Sequence, residues 1–156
     1  KTVFGETGNI TDVRLKRVKS MVPRLEYDFI NSPDLAQTFV ATCCAMGVKF
    51  RFSGLQTLKI KETDRIEALK AEMLKLGFVL HDVDGCELYW DGEMCEPAAD
   101  KSIDTYNDHR MALAFAPMAL RLGEMRINNP EVVSKSYPYF WDDLRSAGWT
   151  VTEASC

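Results

Sequence analysis

Apolar and polar positions along the chain fall into two passes of the same order. The first opens at Asp34. Leu35, Phe39, Thr42 or Cys43, and Met46 follow at helical spacing until Gly47. Residues 48–52 read as a short strand, and a loop runs on to Lys61. Ile66, Leu69, Met73 and Leu76 then recur at i, i+3, i+7 and i+10, which predicts an amphipathic helix stopped by Gly77. A strand begins at 78–80.

The second pass opens at Asp108 with an apolar helix that runs to Gly123. A strand at 125–127 leads to a loop ending at Lys135. Ser136 is a candidate cap for a helix whose apolar face is Tyr137, Phe140, Trp141 and Leu144. Gly148 stops that helix before a strand at 149–151. The counterparts are Asp34/Asp108, Gly47/Gly123, Lys61/Lys135 and Gly77/Gly148. A polar joining segment, 82–105, holds one strand at 86–90 and a looser stretch around Pro97. This order predicts an α/β domain of repeated βαβ-type layers. Two ordinary α/β stretches alike by chance would share it.

A true repeat has a chemical consequence. Units related by rotation bring equivalent helix starts to one side of a domain, and helix starts carry unpaired N–H groups and partial positive charge. Here those starts also carry Lys61, Glu62, Arg65, His109, Arg110 and Lys135. Such a grouping suits a small polyanion.

Composition narrows the class. A length of 156 residues allows one domain with a real core, and 46% hydrophobic with 27% charged residues is ordinary for a globular chain. The longest apolar run, 111–120, contains a proline and falls short of the ~20 residues a bilayer span needs. It reads as a buried core helix, and no membrane partner is expected. A net charge of −4 argues against general nucleic-acid binding. The chain begins at Lys1 with no charged-then-apolar leader, so export is not expected. The five cysteines, at 43, 44, 86, 95 and 156, include no CxxC pair. They read as inert thiols in a reducing cytoplasm, with no metal site.

Four short strings carry candidate chemistry, and each also has a plain structural reading. In Lys61-Glu62-Thr63-Asp64-Arg65, Asp64 with Glu67 makes a capping box, which leaves a solvated charge cluster. In Tyr106-Asn107-Asp108-His109-Arg110-Met111-Ala112, four polar residues precede a helix apolar nearly all round. They either border the core rigidly or reach solvent from a capped helix. Ser134-Lys135-Ser136-Tyr137-Pro138 sets a lysine ahead of a helix start, where it opposes the dipole unless an anion lies near. In Asn31-Ser32-Pro33-Asp34, a helix cap alone would account for Asp34.

Together, Asp34 before an apolar helix, Lys-Glu-Thr-Asp-Arg, Asn-Asp-His-Arg-Met-Ala and Lys-Ser-Tyr-Pro-Tyr-Phe resemble the 5-enolpyruvylshikimate-3-phosphate synthases, in that family's order. The resemblance runs from about Glu26 to the end. It implies an enolpyruvyl transferase-like fold (an inverse α/β barrel) of βαβαββ units around a pseudo-threefold axis. About two units are expected here, at approximately 24–92 and 104–156, as one partial C-terminal domain over 1–156.

The resemblance also implies an activity: enolpyruvyl transfer from phosphoenolpyruvate to the 5-hydroxyl of shikimate 3-phosphate, with no cofactor. By similarity, Asp34 binds the acceptor ring and acts as base, Glu62 exchanges the methylene proton, and His109 stands beside Glu62. Lys61 contacts the acceptor side. Arg65, Arg110 and Lys135 hold phosphoenolpyruvate, or glyphosate in its place. The family position five before the motif glutamate is often Asn; here it is Thr57, with Gln56 beside it as a substrate-binding candidate. Family members are more than twice this length. The missing N-terminal domain is therefore an expected partner, and the chain alone is expected to fold, or nearly so, but turn over little substrate. Two rivals are a UDP-N-acetylglucosamine enolpyruvyl transferase and a non-catalytic anion-binding module. The first would not be expected to carry the Lys-Glu-Thr-Asp-Arg and Asn-Asp-His-Arg strings together.

Overall fold

The computed structural model describes residues 22–153. Expectations for the first 21 positions and for Cys156 lie outside the described residues. Chain order is β1 (Arg24–Asp28), α1 (Ala36–Met46), β2 (Lys49–Ser53), α2 (Arg65–Lys75), β3 (His81–Val83) and β4 (Glu87–Trp90). That is one βαβαββ unit. Its sheet runs β1-β2-β4-β3. The α1 crossover makes β1 parallel to β2, while β4 lies antiparallel to both β2 and β3.

Alternation fixes which sheet face is covered. Phe50 and Phe52 of β2 and Leu88 and Trp90 of β4 are buried, and α1 and α2 supply the other side of the core through Val40, Cys44, Ile66, Leu69 and Met73. The predicted face of α2 is the buried one, and Leu76 closes it as the last helical flank. Gly77 ends the helix at φ 94°, and a Cβ there would stand 2.9 Å from the carbonyl oxygen of Cys95. Both the turn and the close approach demand glycine.

The second pass departs from the prediction in four places. The 111–120 run is not one helix. α3 (His109–Phe115) gives way to a 3-10 turn, Ala116–Met118, and then to α4 (Ala119–Leu122). Pro117 sits in that turn, lacks an N–H and crowds the preceding turn. The strand at 125–127 reduces to a single parallel bridge, Ile103 to Ile127. The Ile103 N–H donates to the Arg126 carbonyl and the Asn128 N–H to the Ile103 carbonyl, and Asn128 also donates its amide to Asp104 at 2.8 Å.

Ser136 is not the N-cap of a following helix. It closes a 3-10 turn, Pro130–Lys135, and α5 (Phe140–Ser146) begins only at Phe140, with Tyr139 in the N-cap position. Pro138 keeps Tyr137 out of helical geometry, which delays the start. Residues 149–151 form no strand, because the Trp149 N–H is used to close α5 on the Leu144 carbonyl. In the first pass, 78–80 forms only the bridge Phe78 to Met94, and the regular strand begins at His81.

α3 joins the two passes. Met111, Ala114 and Phe115 pack into the main core with α1. Ala112 and Ala116 face a smaller cluster with Val132, Val133 and Phe140. Among the described residues, no helix is long and apolar enough to cross a membrane.

Cys43 and Cys44 lie on the core side of α1. Burial pushes the Cys43 thiol up to about 11, and burial plus its neighbour pushes Cys44 higher still. Thiolate is the reactive form. A thiol reagent is therefore expected to label exposed Cys95 and half-buried Cys86 in the native chain, and to reach Cys43 and Cys44 only after denaturant. Native labelling of the α1 pair, read by peptide mass spectrometry, would contradict this packing.

Candidate functional site

Three segments from distant parts of the chain meet at one guanidinium. The first is the turn after β1. Asp34 lies in a 3-10 turn, Pro33–Leu35, ahead of α1, and its side chain makes no helix-capping bond. The expected cap role is thus corrected, and the carboxylate is committed to cations. Arg65 donates to it from Nη1 at 2.7 Å and Arg110 from Nη2 at 3.3 Å, while Lys61 Nζ stands 3.5 Å away. Arg110 also donates to the Asp34 main-chain oxygen at 3.1 Å.

The second segment opens α2. Asp64 accepts from the N–H groups of Ile66 and Glu67, which is the Asp64 half of the expected capping box; no return bond from Glu67 is seen among the described residues. Glu67 itself pairs with Lys70. That cap fixes Arg65 as the first helical residue and turns its side chain inward, where it is 1% exposed. Its Nη2 donates to Glu62 at 2.7 Å.

The third segment opens α3. Asp108 is fully buried, caps the Arg110 N–H at 2.9 Å, and accepts from Arg65 Nε at 2.6 Å and Nη2 at 3.2 Å. Arg65 thus makes four hydrogen bonds to three carboxylates, two of them in a fork to Asp108. Planar guanidinium geometry allows this and a lysine ammonium does not.

Electrostatics set the state of Asp34. Burial alone would raise its pKa. The fields of Arg110, Arg65 and Lys61 together outweigh that and hold it below the ordinary carboxylate range. The cluster balances Asp34, Glu62 and Asp108 against Arg65, Arg110 and Lys61. Lys135 stands next to it on a different footing. Its Nζ donates to the main-chain oxygen of Asn107 at 2.6 Å and to Asn107 Oδ1 at 2.8 Å. Two neutral oxygens leave its charge uncompensated, and no carboxylate pairs with it among the described residues.

Asp34, Glu62, Lys61, Arg65 and Arg110 are thereby brought together, and Lys135 is held beside Asp108 through Asn107. His109 occupies the first turn of α3. Its Nδ1 is buried without a hydrogen-bond partner, and no bond joins it to Glu62 among the described residues. Gln56 is exposed at the start of a 3-10 turn, Gln56–Ile60, and its side chain makes no hydrogen bond among the described residues.

In the sequence Asp108 stands as the counterpart of Asp34 and as one of four polar residues before an apolar helix. Its burial and its fork with Arg65 went unforeseen. The signal was a carboxylate leading an apolar helix, since a charge carried into a core requires a partner. Asn107 as the seat of Lys135 left no such signal.

A family model described as EPSP synthase (3-phosphoshikimate 1-carboxyvinyltransferase) matches residues 6–144. A 3-phosphoshikimate 1-carboxyvinyltransferase from Bacteroides fragilis is 57% identical over 150 residues, which cover 96% of this chain and 36% of that protein. One from Syntrophobacter fumaroxidans is 35% identical over 119 residues, covering 76% and 27%. The chain spans about a third of the length of the curated relatives it matches. A solved EPSP synthase from Acinetobacter baumannii superposes with TM-score 0.60 at 22% identity, over 76% of this chain and 28% of that one. That likeness establishes the fold.

Proposed function

The chain belongs to the EPSP synthase family, and from that premise we propose that it supplies one side of a site for enolpyruvyl transfer from phosphoenolpyruvate to the 5-hydroxyl of shikimate 3-phosphate. Phosphate is the second product. The observation that supports this reading is the convergence on Arg65, with Asp34 and Glu62 at one guanidinium and Arg110 and Lys61 against Asp34. Binding an anion needs the cations. It has no use for two carboxylates beside them, which is why transfer is favoured over a non-catalytic module.

The reaction runs in two halves. Addition joins the 5-oxygen to C2 of phosphoenolpyruvate, moves the hydroxyl proton to a base and delivers a proton to the methylene carbon. Elimination breaks the bond from C2 to the phosphate oxygen and takes a proton back from the same carbon. We assign the hydroxyl proton to Asp34 and the methylene proton to Glu62, with His109 as a nearby proton-handling group. Arg110 and Lys135 hold the donor's phosphate and carboxylate, Arg65 joins them by giving up a carboxylate bond such as that from its Nη2 to Glu62, and Lys61 and Gln56 face the acceptor.

Arg110, with Arg65 and Lys61, depresses the basicity of Asp34. Anions seated on them would screen that field and return basicity to Asp34 when substrate is bound. Acid, base and cations suffice for this chemistry, and no cofactor is invoked.

We assign the chain to part of a C-terminal domain, with the rest of a longer polypeptide supplying the other side, and the reaction to the cytoplasm. Domain closure would complete such a site. The test is acceptor choice by the full-length polypeptide given phosphoenolpyruvate. Transfer to shikimate 3-phosphate and none to UDP-N-acetylglucosamine is expected. The reverse preference would move the chain to the sister transferase.

A further inference from the structure

We propose that Glu72 and Tyr106 are positioning residues that set Lys135 for the donor anion by locking the turn on which Lys135 rests. The proposal rests on the reading above, in which Lys135 holds phosphoenolpyruvate. Three observations carry it.

The first is a buried carboxylate with every oxygen used. Glu72, two turns beyond Arg65 on α2, is fully buried. Its Oε1 accepts from the Tyr106 hydroxyl at 2.7 Å, and its Oε2 accepts from the Asp104 N–H at 3.0 Å and from Lys75 Nζ at 2.8 Å. Lys75 also holds the Asp104 carboxylate at 2.8 Å and the Ser102 carbonyl at 3.2 Å. Apart from the Glu72–Lys75 pair within α2, these bonds grip one stretch, 102–106. Stability alone is a weak reason to keep a charge there, because well-packed apolar groups serve as well in a core.

The second is a strained turn. Tyr106 and Asn107 have φ of 52° and 57°, two successive non-glycine residues in the left-handed region. Asn tolerates that conformation, whereas Tyr is found there rarely and at an energetic cost. Such geometry persists only when its surroundings over-determine it. Here the surroundings are the Glu72 bond at one end and the Asp108–Arg65 fork at the other.

The third is what the turn presents. Asn107 offers both its main-chain oxygen and its Oδ1 to Lys135 Nζ. Relaxing Tyr106 toward ordinary geometry would swing both acceptors away and free the lysine. Although the Tyr106 ring is exposed, its hydroxyl lies against buried Glu72, and this local desolvation with the Glu72 bond pushes the phenol up to about 12.

The experiment is a double-mutant cycle in the full-length polypeptide, with Tyr106→Phe and Lys135→Ala alone and together. Tyr106→Phe is expected to raise KM for phosphoenolpyruvate about tenfold, the scale of one lost hydrogen bond to a charged group. Its kcat and its KM for shikimate 3-phosphate are expected to stay within about twofold. On the Lys135→Ala background the substitution should add nothing. Equal effects on both backgrounds, or a change shared by both substrates, would overturn the proposal. If Lys135→Ala itself leaves KM for phosphoenolpyruvate unchanged, the assignment of Lys135 fails, and this inference with it. Should Tyr106→Phe not fold, Glu72→Gln carries the same cycle. Loss of fold in both would make the clamp a stability element and end the positioning claim.

Discussion

Replacing Arg65 by Ala is expected to cost about 3–5 kcal/mol of folding stability, the scale of breaking one partner out of a buried ion pair. Arg65 and Asp108 are both inaccessible, and the Asp108 carboxylate accepts three hydrogen bonds, two from this guanidinium and one from the N–H of Arg110. Truncation leaves a bare carboxylate in the core and sets Asp34 and Glu62 near it without their shared cation. Arg65→Lys keeps the charge but cannot reach three carboxylates at once, so it should recover only part of the loss. Arg65→Met with Asp108→Leu removes both charges. It should recover most of the stability, less about 1 kcal/mol for the lost α3 cap. Urea unfolding of the four proteins reads this directly. A loss below about 1 kcal/mol for Arg65→Ala would mean the pair is not buried as described.

The second large effect falls on rate rather than on fold. Glu62→Gln in the full-length polypeptide is expected to lower kcat by about 10²–10⁴-fold, the usual worth of a positioned acid–base group. Gln keeps an oxygen for Arg65 Nη2 while it can neither give nor take the methylene proton. Glu62 is exposed at the site rim, so the thermal midpoint should barely move. Because both halves of the reaction pass a proton through the methylene carbon, deuterium incorporation into phosphoenolpyruvate from heavy water should fall in parallel. Lost turnover with incorporation unchanged would assign that proton elsewhere.

What the sequence made legible was local. The apolar face of α2, its Asp64 cap and the Gly77 stop all follow from spacing and turn chemistry within a few residues. Where proline geometry or a missing strand partner overrides the periodicity, the pattern misled. Pro117 and Pro138 lie inside apolar periodicity that otherwise reads as helix, and each cuts the helix back. The strand at 125–127 needed a partner longer than Ile103 alone.

The site divided in the same way. Asp34 has the sequence look of a cap, and only the fold, by bringing Arg65 and Arg110 to it across 31 and 76 positions, shows its other commitment. Asp108 and Asn107 were visible as polar residues before a helix. That one is the inner partner of Arg65 and the other the seat of Lys135 depends on contacts that no spacing rule encodes.

The central claim is that this cluster is one side of a transferase site completed by the rest of a longer polypeptide. Phosphate release from phosphoenolpyruvate, measured with and without shikimate 3-phosphate for both the full-length polypeptide and the 156-residue chain, tests it most directly. The account predicts acceptor-dependent release from the full-length polypeptide and little or none from the chain alone. No release from a folded full-length polypeptide, or turnover by the isolated chain at rates typical of enzymes, would contradict it.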